Sequence, residues 1–135
     1  MYVKTGVVRL GYLHFAFLGP ESGWAAEASE CADDQGKFWE YHDKLFASQA
    51  GENQGAFIRG NLKKFAADLK LNTDAFNACL DSGKYASVVE QETSFLESLG
   101  VQSTPTFLLN ATPIAGALPF EQFQQMIEKE KSKKK

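Results

Sequence analysis

The amino-acid sequence predicts a mixed fold of the α/β or α+β class, with a long helical region placed between strands. Val7–Phe15 is rich in β-branched and aromatic residues and ends before Gly19, which is typical of a strand. From Glu21 to Leu99, apolar residues recur at the spacing of helices. Beyond Gly100 the apolar runs shorten to strand length, and one more helical pattern follows. The predicted order is strand, several helices, strand, strand and helix.

Five helices are predicted in the helical region, separated by glycines and capping residues. Gly36 ends the first helix, and glycines in the 50–56 segment indicate a loop after the second. Asn72 or Thr73 caps the fourth helix, which closes at Gly83. The predicted apolar faces consist of Trp24, Ala25, Ala28, Cys31 and Ala32; of Phe38, Trp39, His42, Leu45 and Phe46; of Leu62, Phe65, Ala66 and Leu69; of Phe76, Cys79 and Leu80; and of Tyr85, Val88, Val89, Phe95, Leu96 and Leu99.

Two short strands and a final helix complete the predicted pattern. Thr106–Leu109 has the apolar run of a buried strand, and a turn separates it from a second strand over Pro113–Ala115. Because proline cannot donate to a strand ladder, the second strand is expected at a sheet edge. Pro119 is expected to start the last helix, and its apolar face consists of Phe120, Phe123, Met126 and Ile127.

Composition limits the classes of function. The 135 residues correspond to one domain, and 44% of them are hydrophobic, as in globular proteins. A net charge of −3 does not favour non-specific nucleic-acid binding. No apolar run reaches the length of a membrane helix, and the first ten residues contain no signal-peptide core. One charge cluster is interpreted as a solvated tail; it consists of Lys129, Lys131, Lys133, Lys134 and Lys135.

Three stretches of the sequence occur in an order that is typical of one protein family. They are AAEASECADDQGKFWEYHDKLF from Ala25, FNACLDSGKY from Phe76, and LGVQSTPTFLLN from Leu99, the last followed by PIAG. Together they resemble the DsbA-like thiol:disulfide oxidoreductases of the bacterial cell envelope. The resemblance implies an α/β, thioredoxin-like fold with a multi-helix insertion at about residues 21–99.

The same resemblance implies that the fold is incomplete, with residues 1–135 forming one N-terminally truncated domain. In the family, a strand and a Cys-x-x-Cys at a helix N-terminus precede the strand that Val7–Phe15 resembles. Here the cysteines are Cys31 and Cys79, which are too far apart to form that motif. We therefore expect no catalytic residue in this chain and no dithiol–disulfide exchange by it, although the family consists of enzymes.

Thr104 and Pro105 are the candidate substrate-binding residues. A proline before an apolar strand is tolerated in any sheet, so its position alone indicates nothing more. The resemblance implies a cis-proline loop that presents backbone to an extended polypeptide substrate. The resemblance also implies that such a loop can bind peptide backbone where the redox cysteines are absent.

Cys31 and Cys79 both lie on predicted apolar helix faces. They are either two separate buried thiols that pack as small hydrophobic groups, or a disulfide between the first and fourth helices. Some envelope relatives carry the same pair as a second, non-catalytic bridge, and the resemblance implies a structural disulfide here. We then expect Cα atoms about 4.4–6.8 Å apart.

The remaining polar candidates favour neither metal nor acid–base chemistry. His14 and His42 have no ligand-like spacing with each other or with the cysteines, so no metal site is expected. His42 is expected to be packed and hydrogen-bonded. No cofactor is expected. Four acids are assigned to solvated helix faces: Glu27, Glu30, Glu40 and Asp43.

Two functions from different classes remain. One is a part of a thiol:disulfide oxidoreductase that acts on cysteine-containing proteins or peptides in the cell envelope, as the resemblance implies. The alternative is a non-catalytic thioredoxin-like module that binds a peptide or a partner chain. If the central strand is missing, we expect Val7–Phe15 to pair directly with Thr106–Leu109, or a second copy of the chain to fill the gap.

Overall fold

A computed structural model describes residues 1–133, so Lys134 and Lys135 of the predicted tail lie outside the described residues. The described elements are α1 (Pro20–Asp33), α2 (Phe38–Ala47), α3 (Arg59–Asp68), α4 (Thr73–Ser82), α5 (Ala86–Ser98), β1 (Thr106–Leu109), β2 (Thr112–Ala115) and α6 (Phe120–Ser132). The chain divides into two compact units, Met1–Leu96 and Glu97–Lys135. The expectation of one domain over residues 1–135 stays a prediction.

Helices α1 to α4 enclose the core of the first unit. Helix α1 packs against α2, α3 and α4, and its alanines Ala28 and Ala32 are fully buried where small side chains let helices approach closely. The predicted apolar faces of α1, α3 and α4 are confirmed. The buried cluster consists of Ala28, Cys31, Ala32, Tyr41, Leu62, Ala66, Leu71, Phe76 and Leu80.

The predicted apolar face of α2 is wrong in part. Its fully buried residue is Tyr41, whose ring packs on Phe76 at 5.4 Å and whose hydroxyl donates to the Leu62 carbonyl at 2.8 Å. That hydrogen bond satisfies the only polar atom of the side chain, so the whole ring can be buried. Trp39 and Phe46 are 44% and 66% exposed instead. They belong to an aromatic cluster that also contains Tyr12, Phe38 and His42.

Tyr41→Phe is expected to lower the free energy of unfolding by about 1 kcal/mol, because it removes one buried hydrogen bond and no packing. Both tryptophans of the sequence, Trp24 and Trp39, lie in the first unit, so their fluorescence in a urea titration reports this unit. Tyr12→Phe is the control and should shift the midpoint little, because Tyr12 is half exposed. Equal shifts for the two variants would contradict a stabilising role for the Tyr41 hydroxyl.

The strand predicted over Val7–Phe15 is wrong. This segment contains no strand, and the sheet of the described residues consists of β1 and β2 alone. Near its end, side chains of α5 bind the backbone: the His14 amide donates to Glu92 Oε2 at 2.7 Å, and the Ala16 amide, just beyond the segment, donates to Thr93 Oγ1 at 3.1 Å. A strand requires a neighbouring backbone to form a ladder, and here alternate amides are bound by side chains instead.

The second unit contains the predicted hairpin and final helix. Strands β1 and β2 pair antiparallel, with Thr106 opposite Ala115 and Leu109 opposite Thr112. Both strands are edges of a two-stranded sheet, in agreement with the position expected for Pro113. Helix α6 follows Pro119, and its Phe123 ring packs on Phe107 of β1 at 4.9 Å. The positions of these elements are confirmed to within one residue at each predicted strand end, but the burial expected for β1 is wrong, because Thr106, Phe107 and Leu108 are exposed.

Candidate functional site

The loop before β1 presents backbone to solvent. The Thr104–Pro105 peptide bond is cis, and both residues are exposed. Two hydrogen bonds fix the loop: the Pro105 carbonyl accepts from the Gly116 amide at 2.8 Å, and Thr106 Oγ1 donates to the Ser103 carbonyl at 2.7 Å. The arrangement offers an ordered backbone segment beside a strand edge, which is the kind of surface that accepts an extended peptide.

Cys31 and Cys79 form a disulfide between α1 and α4. Their Cα atoms are 5.9 Å apart, and the two positions are separated by 48 in sequence. Cys31 is 1% exposed and belongs to the core cluster, whereas Cys79 is half-buried. An external thiol can therefore approach the bridge only from the side of Cys79.

A polar cluster surrounds the accessible side of the disulfide. Asp34 accepts hydrogen bonds from Lys84 Nζ at 2.6 Å and from the Tyr85 hydroxyl at 2.5 Å, and its Oδ2 lies 3.9 Å from Cys79 Sγ. The hydrogen bond from Lys84, and next that from Tyr85, lowers the pKa of Asp34. The same hydrogen bonds to Asp34 raise the pKa of Lys84 and the pKa of Tyr85. Asp34 thus carries its negative charge close to Cys79 at neutral pH.

The electrostatics at both cysteines disfavour a thiolate. Cys31 lies in the last turn of α1 and Cys79 in the last turn of α4, where the helix dipole places partial negative charge. The Asp34 carboxylate adds a full negative charge at Cys79, and its lysine partner is already hydrogen-bonded to it. Reactive cysteines occur in the opposite environment, at helix N-termini or beside unpaired cations.

The assignment of Glu27 and Glu30 to a solvated face is wrong. Glu27 is 8% exposed, and Glu30 is half-buried with its Oε1 2.7 Å from Nε2 of His14, which is 5% exposed. The two acids lie on the side of α1 next to its alanine face, and the segment before α1 covers them. Their position among alanines, in AAEASECA, is the signal in the sequence that could have indicated burial.

Glu40, Asp43 and His42 lie in the environments expected for them. Glu40 and Asp43 are exposed, and Glu40 pairs with Lys37 at 2.7 Å. His42 is packed in the aromatic cluster, and its Nδ1 lies 3.0 Å from Asp43 Oδ1. Within residues 1–133, no three or more His, Cys, Asp or Glu side chains form a group that could hold a metal ion.

Glu21 is a buried polar residue that the sequence reasoning missed. Its two carboxylate oxygens accept from the backbone amides of Gly55 and Phe57, each at 2.8 Å. Glu21 lies in the first turn of α1, where a negative charge is favourable, and is 7% exposed. It connects the start of α1 to the loop between α2 and α3.

Comparisons with known proteins identify relatives that match most of this chain. The thioredoxin family model matches residues 1–129. Disulfide bond formation protein D of Bacillus subtilis strain 168 is 30% identical over 132 residues, which cover 96% of this chain and 60% of that protein. The Na(+)/H(+) antiporter NhaA 1 of Salinispora arenicola is 36% identical over 102 residues, or 76% of this chain, but only 15% of the antiporter. The chain thus spans less than two thirds of either relative.

A solved structure has the same fold. The thioredoxin-like oxidoreductase of Silicibacter pomeroyi DSS-3 superposes with a TM-score of 0.73 at 21% identity, covering 90% of this chain and 67% of the other. Within residues 1–133, this chain has five helices followed by a two-stranded sheet and a sixth helix. None of the helices within residues 1–133 is sufficiently long and apolar to span a bilayer. Because the thioredoxin family model matches residues 1–129, the chain belongs to the thioredoxin family, in its DsbA-like form with a helical insertion.

Proposed function

We propose that this chain is part of a thiol:disulfide oxidoreductase that acts on cysteine-containing proteins in an extracytoplasmic compartment. The family match over residues 1–129, which includes the Thr104–Pro105 loop, is the observation that carries the proposal. A relative named for disulfide bond formation supports the reaction class. The disulfide between Cys31 and Cys79 supports an oxidising compartment, because such bonds are rare where thiols are kept reduced.

In this proposal the chain binds substrate and its own two cysteines are structural. Thr104 and Pro105 hold the backbone of an extended substrate against the exposed loop. The redox pair is distinct from Cys31 and Cys79, because both sit at helix C-termini and one of them is buried in the core. A thiolate at either position lacks the stabilisation that exchange requires.

The 135-residue chain is expected to show no turnover in an insulin-reduction assay above the dithiothreitol background. Disulfide exchange through Cys31 or Cys79 requires a cysteine thiolate. The Asp34 carboxylate lies 3.9 Å from Cys79 Sγ and disfavours that thiolate. Wild-type protein is compared with Cys31→Ala and Cys79→Ala at equal concentration. Turnover that disappears in either variant would show that this disulfide is redox-active and would overturn its structural assignment.

The alternative is a non-catalytic module that binds a partner chain. The exposed apolar side chains of the second unit favour it, among them Leu108 at 69% exposure and Phe120. Reading the coding DNA upstream of Met1 in frame separates the two functions. A Cys-x-x-Cys after a strand pattern supports the oxidoreductase, and an in-frame stop codon directly before Met1 supports the module.

A further inference from the structure

The two sulfur atoms of the Cys31–Cys79 disulfide differ in their access to external thiols. Cys31 is 1% exposed and belongs to the core cluster, whereas Cys79 is half-buried. A thiolate attacks a disulfide at one sulfur atom and expels the other. An external thiolate can therefore attack Cys79 Sγ, and Cys31 Sγ is then the leaving atom in the core.

Reduction of this disulfide takes two steps. In the first, a bond forms between the external sulfur and Cys79 Sγ, the disulfide bond breaks, and its electron pair stays on Cys31 Sγ, which takes up a proton. In the second, another external thiolate attacks the external sulfur of the mixed disulfide and releases Cys79. The net reaction oxidises two external thiols to a disulfide and reduces the cysteine pair to two thiols.

Asp34 places a carboxylate at the sulfur atom that is open to attack. Its Oδ2 lies 3.9 Å from Cys79 Sγ, and the same oxygen accepts a hydrogen bond from Lys84 Nζ at 2.6 Å. The Tyr85 hydroxyl holds the other carboxylate oxygen at 2.5 Å, which fixes the position of the group. Every thiolate that attacks Cys79 brings a second negative charge close to this carboxylate, and the repulsion is larger when the thiol carries a further negative group.

We propose that Asp34 is a specificity-determining residue for thiol attack on the Cys31–Cys79 disulfide, which it protects from anionic thiols more than from cationic ones. Lys84 opposes this selection, because its ammonium group neutralises part of the carboxylate charge. The inference goes beyond the proposed function and does not depend on it, because the reaction of small thiols is measured at this disulfide directly.

The experiment measures the rate at which three small thiols open the disulfide of the 135-residue chain. The thiols share one carbon skeleton and differ in charge: 2-mercaptoethanesulfonate is anionic, 2-mercaptoethanol is uncharged and cysteamine is cationic. Reactions at low ionic strength are stopped with acid, and free thiols and mixed disulfides are mapped by alkylation and mass spectrometry. The rate of each variant is divided by the wild-type rate with the same thiol, which removes the intrinsic differences in reactivity among the thiols.

Asp34→Asn is expected to accelerate opening by 2-mercaptoethanesulfonate about tenfold, by 2-mercaptoethanol about threefold and by cysteamine less than about twofold. The reason is that the variant removes the repulsion and leaves the Lys84 ammonium without its carboxylate partner. Lys84→Gln keeps the carboxylate and removes the neutralising charge, so opening by 2-mercaptoethanesulfonate should slow about threefold. The control is Glu40→Gln, which removes an exposed acid that is also paired with a lysine, Lys37, and should leave all three rates unchanged.

A purely structural role for Asp34 predicts a different result. Both Asp34→Asn and Lys84→Gln remove the same hydrogen bond, so loosening of α1 against α4 would accelerate all three thiols equally in both variants. Opposite effects of the two variants on the anionic thiol, with mixed disulfides at Cys79, support the proposal. Equal acceleration of the three thiols, mixed disulfides at Cys31, or wild-type rates that do not depend on thiol concentration would overturn it, the last because unfolding would then limit the reaction.

Discussion

Replacement of both Cys31 and Cys79 by alanine is expected to lower the free energy of unfolding of the first unit by about 4 kcal/mol. The two cysteines are 48 positions apart, so their bond removes much of the conformational freedom of the unfolded chain. The bond also joins α1 and α4 across the core, where Cys31 is fully buried. Alanine is chosen because serine would place an unpaired hydroxyl at the buried position.

Tryptophan fluorescence in a urea titration measures this effect, with and without dithiothreitol. Reduction should destabilise the wild-type protein to a similar extent and leave the double variant unchanged, which separates the loss of the bond from the loss of two sulfur atoms. A decrease below about 1 kcal/mol would mean that the bond contributes little beyond packing.

Glu21→Ala is expected to cost about 3 kcal/mol, because it removes two charge-assisted hydrogen bonds and leaves the amides of Gly55 and Phe57 without acceptors. Both amides lie in the loop between α2 and α3, so the loss should loosen this loop and the start of α1 together. The carboxylate also neutralises part of the positive dipole at the first turn of α1.

The matched control is Glu52→Ala, an exposed acid of the same loop that should change the unfolding free energy by less than about 0.5 kcal/mol. Glu21→Gln should fall between the two, because an amide keeps one acceptor oxygen but loses the charge. If Glu21→Ala and Glu52→Ala give the same midpoint, the two carboxylate hydrogen bonds contribute no net stability.

Features governed by local chemistry could be predicted from the sequence. Asn72 caps α4 by accepting from the Ala75 amide, and Gly83 ends the helix in the left-handed conformation that glycine favours. The hairpin of β1 and β2 follows from two short apolar runs around a turn at Asn110. In each case the residues that decide the structure are neighbours in sequence.

The incorrect predictions concern residues whose structure depends on contacts with residues distant in sequence. Val7–Phe15 has the composition of a strand, but the side chain of Glu92 binds its His14 amide in place of a neighbouring strand. Helix α2 carries aromatic residues on two faces, and the carbonyl of Leu62 determines that Tyr41 is the one buried. Glu27 was expected on a solvated face and is 8% exposed instead.

The bond between Cys31 and Cys79 makes a covalent ring that contains α2, the exposed 48–58 loop and α3. A protease that cuts the backbone inside this ring does not release a fragment, because both new ends stay attached through the two sulfur atoms. The nicked protein therefore migrates as one species on a denaturing gel until a reducing agent is added. A cut in this loop thus leaves the chain in one piece until the disulfide is reduced.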